Sequence, residues 1–177
     1  MIRDRLWIVC CAVGLFLSQG QAHAATFAVT SLSDLVKNAT LVARITIQDR
    51  YSYVAKDRIF TRLLANIDET LAGTAPKDPR IEIVTLGGNV EGIVQYVEGS
   101  TTQITNGTPA VMALTRQSDG AYHVIGMATG VFLINPIDET VVRMIDPVPA
   151  SVARSIDTHP NTYDELKRAV QEATRAQ

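Results

Sequence analysis

Two stretches of the chain alternate apolar and polar side chains, and this period of two restricts the possible folds more than any other feature. In Leu41–Gln48, Leu41, Ala43, Ile45 and Ile47 alternate with Arg44, Thr46 and Gln48. In Ile59–Leu71, Ile59, Thr61, Leu63, Ala65, Ile67 and Leu71 fall on one side, and Arg62, Asn66 and Asp68 on the other. Successive side chains of a strand point to opposite faces, so the pattern predicts two strands, each with one buried face. A helix is the rival for Phe60–Leu71, but Thr61, Ile67 and Thr70 favour a strand. At 13 residues the second strand is long enough to bend around a barrel or sandwich corner. Asp49–Arg58, polar but with aromatics, joins the two as a hairpin loop.

Turn residues divide the rest into similar short pieces. Gly73, Pro76 and Pro79 precede a third strand, Arg80–Leu86. Gly87-Gly88-Asn89 reads as a turn into Ile93–Val97, and Gly99–Gly107 as a polar loop ending in the tight-turn pair Asn106-Gly107. Pro109–Thr115 is nearly all apolar and predicts a strand covered on both sides. Tyr122–Ile125, Val131–Asn135 and Val141–Ile145 complete about eight short strands, a spacing typical of a small barrel or sandwich. Ser31 can cap a short N-terminal helix through Asn38. After Asp146 the chain changes to a Pro-bounded linker, and Thr162-Tyr163-Asp164-Glu165 is a capping box for a C-terminal helix with a narrow apolar stripe at Leu166, Ala169, Val170 and Ala173. The division is therefore a β-rich domain over 25–146, then linker and helix over 147–177.

Residues 1–24 have the layout of an export signal. Arg3 and Arg5 start it, Leu6–Leu17 is its apolar run, and Ala22-His23-Ala24 places cleavage after Ala24. The run is shorter than the roughly 20 residues of a membrane span, so no transmembrane anchor is expected after cleavage. Trp7-Ile8-Val9 before Cys10 does not fit a lipoprotein signal. Cys10 and Cys11 leave with the leader, so the mature chain has no thiol and enters a secreted or periplasmic setting without disulfides. Thiol catalysis and cysteine-held metals are excluded. The whole chain is 46% apolar and 19% charged, an ordinary globular balance. Without the leader it has 14 basic and 17 acidic residues, which disfavours nucleic acid as partner.

The order of motifs is similar to a set of small exported bacterial β-barrel proteins of uncharacterised role. The residues that carry it are Leu41–Ile47, Glu69-Thr70-Leu71-Ala72-Gly73, Ile81–Leu86 with Gly87-Gly88, Pro109–Leu114, and Tyr122-His123-Val124-Ile125-Gly126 leading to Gly130-Val131-Phe132. The likeness covers about Leu32 to Ile134 and implies a secreted or surface protein without known catalysis. The strand order also resembles the netrin-like modules of tissue inhibitors of metalloproteinases. That resemblance implies a five-stranded barrel of the oligonucleotide/oligosaccharide-binding kind with flanking helices. It carries over no inhibitory chemistry, because those inhibitors bind zinc through an N-terminal cysteine and this mature chain has none.

Chemistry-bearing patterns are few. His123 and His159 are the only histidines after the leader, and neither belongs to a clustered ligand set, so no metal and no cofactor are expected. No Gly-x-Ser-x-Gly occurs. Glu91, Glu98, Asp138 and Glu139 read as solvated turn acids, and Gly87-Gly88 lacks the lysine of a phosphate loop. Tyr51, Tyr53 and Phe60 gather around a hairpin, as recognition aromatics do. The expectation is a mainly β, exported, non-enzymatic binding protein working through the loops Asp49–Arg58, Gly87–Gly92 and Gly99–Thr108. Its candidate binding residues are Tyr51, Tyr53, Phe60, Asn89, Glu91 and Asn106, its partner a protein or saccharide, and its setting the cell surface, matrix or biofilm, or an exported protease. The rival is an exported hydrolase with His123 as base.

Overall fold

Both alternating stretches form strands in a computed structural model of the chain, which describes residues 30–144 and 160–176. They are β1 (Leu41–Ala55) and β2 (Arg58–Gly73), paired antiparallel from Leu41↔Gly73 out to Ala55↔Arg58. The loop expected over Asp49–Arg58 is not there. The strands continue through it and reverse at Lys56-Asp57, whose φ values are 49° and 58°. Two left-handed residues in succession give a turn whose twist matches a β-ribbon, and Tyr51, Tyr53, Val54 and Phe60 are good strand formers, so polarity alone does not break the ladder. Register shifts at Val42/Ala43, Arg44/Ile45 and Ile47/Asp49 bend the hairpin. The first leaves Leu71 unpaired between Ala72 and Thr70, and Leu71 packs under the helices rather than with Leu63 and Ala65 inside.

The remaining strands are β3 (Arg80–Leu86), β4 (Gly88–Val90), β5 (Ile93–Gln95), β6 (Pro109–Arg116), β7 (Tyr122–Val124), β8 (Val131–Ile134) and β9 (Val141–Arg143). A short 3-10 turn, Met127–Gly130, separates β7 from β8. The strand beyond the expected set is β4. The chain was expected to turn at Gly87-Gly88-Asn89, yet it reverses at Glu91-Gly92.

The pairings run β1-β2-β3-β7-β6 and return from β6 to β1, closing a ring. All contacts in it are antiparallel except β3–β7, a parallel contact at the single pair Ile83↔Tyr122. This is a five-stranded barrel of the oligonucleotide/oligosaccharide-binding kind. One edge of β6 carries two partners in turn, β7 beside its C-terminal half and β8 beside its N-terminal half. β9 then extends the sheet from β8.

Alternation on β6 explains its unbroken apolar run. Ala110, Met112 and Leu114 point into the barrel with Leu41, Ile45, Leu63 and Ile83. Val111 and Ala113 point outward with Val42 and Phe132, beneath α1 (Leu32–Asn38) and α2 (Tyr163–Arg175). Of the narrow stripe on α2, Leu166 and Val170 are buried and Ala169 and Ala173 half-buried, and Tyr163 adds a buried ring outside the expected stripe. Thr162 Oγ1 accepts from Glu165 N at 3.3 Å, and the Glu165 carboxylate accepts from Asn161 N at 2.8 Å, one residue before the cap. Glu69 on β2 fastens the helix: it accepts from the Tyr163 hydroxyl at 2.6 Å and pairs with the Lys167 ammonium. Those two partners, Lys167 first, hold the Glu69 carboxyl below its ordinary range, while burial and the Glu69 carboxylate push the Tyr163 hydroxyl up. The Arg44 guanidinium lies 4.5 Å from the Tyr163 ring centre and 3.1 Å from Glu139.

The segment 97–108 has no strand or helix and closes one end of the barrel. Ile104 enters the inner core, and Ser100 and Thr101 are buried. The expected leader with its cleavage site, Ile145, most of the linker and His159 lie outside the described residues. Among the described residues, no helix is long and apolar enough to cross a membrane.

Candidate functional site

Three of the residues marked from the sequence meet on one face of the distal β1–β2 hairpin. Cross-strand pairing sets Tyr53 against Phe60 and Tyr51 against Arg62. The Tyr53 and Phe60 rings stack at 5.9 Å and 25°, and Tyr51 follows at 6.3 Å and 45°. The Arg62 guanidinium lies 5.4 Å from the Tyr53 ring and 5.9 Å from Tyr51, with Nη1 3.0 Å from Glu82. Such a ladder is a stiff wall, each ring pair contributing about 0.5–1.5 kcal/mol beyond burial.

The opposite face of the same hairpin seats β4. Thr61 Oγ1 donates to Gly87 O at 2.8 Å, so the 2.9 Å contact between Ser52 and Thr61 has Ser52 as donor. Ser52 Oγ in turn accepts from Asn89 N at 3.3 Å. The result is a directed relay from Asn89 N–H to the Gly87 carbonyl, each bond polarising the next. Gly88 crosses the relay so closely that a Cβ there would fall on Ser52 Oγ and Thr61 Oγ1. Gln95 Oε1 accepts from Ile59 N at 2.7 Å and anchors β5.

Between the two hairpins and the 97–108 segment lie two adjoining depressions. One, of about 410 Å³, is lined by Arg50, Tyr51, Ser52, Asn89, Val94 and Thr102 among others. The second, of about 450 Å³, is lined by Val97, Gly99, Thr105, Thr108, Leu133 and Met144 among others. Tyr96 and Gln103 line both, so the two depressions, together the groove, meet at these residues. Tyr96 is 75% exposed and Tyr51 45%. The Tyr96 hydroxyl, the Thr102 hydroxyl and the Gln103 amide make no hydrogen bond within the described residues. Arg50 Nη1 donates to the carbonyls of Thr102 at 2.8 Å and Ile104 at 3.3 Å. Among the described residues, no carboxylate and no histidine lines either depression.

Of the other marked residues, Asn89 lines the groove, its Oδ1 accepting from Gly92 N at 3.1 Å. Glu91 sits in the exposed reversal between β4 and β5, and Asn106 is exposed at the loop tip between Thr105 and Gly107. Neither lines the groove. Tyr53 and Phe60 stand behind Tyr51 in the ladder. His123 is half-exposed on β7 opposite Thr115, with no hydrogen bond to an acid or hydroxyl among the described residues. Another depression, of about 600 Å³, carries Lys77, Arg80 and Arg116 against Asp78, Glu82 and Asp119. Its charges balance, with Arg80 3.3 Å from Asp78 and Asp119 accepting from Ala121 N.

No protein-family model and no curated protein matches the chain. Of the groove's central residues, Thr102 and Gln103 lie in the expected working loop Gly99–Thr108 without being singled out there, and Tyr96 lies outside the expected loops. A signal existed for Tyr96: in a strand over Ile93–Val97, Val94 and Tyr96 share one face, and both are exposed.

Proposed function

We propose that the chain is an exported, non-enzymatic binding protein that holds its partner in the groove lined by Tyr96. The observation that carries this reading is the groove's lining: an exposed aromatic beside uncharged polar groups with unused hydrogen-bonding capacity, and no acid–base pair among the described lining residues. Binding sites combine apolar contact area with a few positioned polar groups, whereas hydrolysis needs a general acid or base within reach of the bond it cleaves. The acidic excess of the mature chain favours a protein or saccharide over nucleic acid or anionic lipid. A place at the cell surface, in matrix or biofilm, or on an exported protease belongs to the same proposal.

Capture from culture fluid with the full chain as bait tests it, run beside Tyr96→Ala. The expected result is a partner retained by the parent chain and lost by the variant. Equal capture by both would move the working surface elsewhere. A hydrolytic activity abolished by His123→Ala would overturn the non-enzymatic reading. Mass spectrometry of the exported protein should find its first residue at Ala25.

A further inference from the structure

We infer that the occupant of the groove is a neutral glycan chain, laid across the Tyr96 ring with sugar units in both depressions; the inference rests on the binding reading above.

Three observations converge. The first is shape. The depressions, about 410 and 450 Å³, are each of ligand-site size and adjoin at Tyr96 and Gln103. An occupant filling both runs past the two shared residues, Tyr96 and Gln103, and the exposure of Tyr96 there suits a chain of rigid rings. The second is the kind of polar group on offer. A sugar ring has an apolar C–H face and a rim of hydroxyls that both donate and accept. Tyr96 supplies a flat apolar surface with a polar tip. The Tyr96 and Thr102 hydroxyls and the Gln103 amide each donate and accept, and all three are unengaged within the described residues. The third is charge. Arg50 is the sole charged side chain among the described lining residues, and its Nη1 is directed at the Thr102 and Ile104 carbonyls. The groove therefore carries no cluster of free cations for a polyanion.

An extended peptide fits less well. Peptides laid on β proteins are held largely by main-chain hydrogen bonds to a strand edge. Here the 450 Å³ depression is lined largely by the irregular 97–108 segment, so no one strand edge runs the length of both depressions. With no carboxylate among the described lining residues, the glycan is held and not cut.

The test is calorimetric titration of the full chain with neutral hexasaccharides of glucose, mannose and N-acetylglucosamine. A hexauronate and an extended decapeptide serve as the charged and peptide arms. At least one neutral hexasaccharide should bind, and its disaccharide should bind about tenfold more weakly because it fills one depression. Tyr96→Ala should weaken the hexasaccharide about tenfold, and Tyr96→Phe by no more than about threefold, since the ring face remains. Gln103→Ala should weaken it several-fold. Circular dichroism and melting curves check folding, and if Tyr96→Ala fails to fold, Tyr96→Phe with Gln103→Ala carries the test. No binding by any neutral hexasaccharide, or binding that ignores both positions, overturns the glycan assignment. Binding of the hexauronate or the peptide alone, sensitive to Tyr96, also overturns it while the binding reading survives. Loss of every interaction, including capture from culture fluid, removes both.

Discussion

Truncating Leu166 to alanine tests whether the C-terminal helix is part of the cooperative structure. Leu166 is fully buried on α2, in the outer cluster that holds Leu35, Val42, Phe132 and Val170. Removing three carbons forfeits about 2.5 kcal/mol of transfer free energy at about 0.8 kcal/mol each. Incomplete collapse around the gap raises the loss to about 3–4 kcal/mol, within the range for buried leucines. The better helix propensity of alanine returns only a few tenths of a kcal/mol. In a domain of this size about 1 kcal/mol moves Tm by about 2–4 °C, so a fall of about 6–16 °C is expected. Thermal and urea unfolding followed by far-UV circular dichroism measure the fall and the free-energy loss, with exposed Glu172→Ala as a control that should stay within about 0.5 kcal/mol. A loss below about 1 kcal/mol, or a separate early transition confined to helical signal, would refute the reasoning. It would mean that α2 unfolds by itself and that its burial adds nothing to the barrel.

Glu69 should make stability depend on acidity. Its folded carboxyl is held below its ordinary value of 4.5 by Lys167 and Tyr163, so the folded state binds fewer protons than the unfolded one in that window. The stabilisation is complete above pH 4.5 and is lost as pH falls through the folded value, so Tm of the parent chain should drop more steeply below pH 4.5 than Tm of Glu69→Gln; equal slopes would contradict the contact. Gly88→Ala and Gly92→Ala both place a side chain at positive φ, but only at Gly88 does the new Cβ strike Ser52 and Thr61. Urea titration should give about 1 kcal/mol for Gly92→Ala and at least about 2 kcal/mol more for Gly88→Ala, and a difference under about 0.5 kcal/mol would remove the close crossing. Thr101 is buried, and its hydroxyl has no partner among the described residues. The near-isosteric Thr101→Val should therefore stabilise the chain by about 1 kcal/mol in the same assay, and a loss would mean that the hydroxyl is satisfied.

What was legible in the sequence followed from local rules. Leu41–Ile47 and Ile59–Ala65 alternate because one face lines the barrel, and the unbroken Pro109–Thr115 run reflects a strand with the barrel on one side and helices on the other. Ser31 and Thr162 cap their helices as their types suggest. What escaped depends on contacts distant in sequence. The Asp49–Arg58 stretch looks like a loop because its polar residues face solvent, yet the ladder between β1 and β2 holds it extended. The narrow stripe on α2 leaves docking and fraying equally open, and what decides is distant: Glu69, nearly a hundred positions away, adds polar contacts to Tyr163 and Lys167. Leu71 keeps the alternating pattern and still changes faces, because a bulge is invisible to a count of two. The aromatic trio was found as a cluster, whereas the groove was not, because Tyr51 and Tyr96 come to line one depression only when β4 folds over Ser52 and Thr61.

The groove owes its existence to the way the barrel closes. The ring is joined between β3 and β7 at one pair, Ile83↔Tyr122, and the remainder of β3 has no strand on that side. Hydroxyls fill the gap: Ser100 Oγ donates to Leu86 O at 2.6 Å, Thr85 lies 3.3 Å from Ser100, and Thr101 N donates to Thr85 at 3.4 Å. A strand in this place would turn alternate side chains into the core, with half its residues lost to packing. An irregular segment sends down only Ile104, Ser100 and Thr101 and leaves Gln103 and Thr105 facing outward. On the binding proposal, stability and recognition fall on different residues, the first on the ring and its helix-covered face, the second on the closing segment and Tyr96. The separation has a measurable consequence. Tyr96→Ala and Gln103→Ala should change affinity and leave Tm within about 2 °C, Leu166→Ala should lower Tm and leave the affinity of the folded protein unchanged, and a variant of either kind that moved both would show that the groove and the core are one cooperative unit.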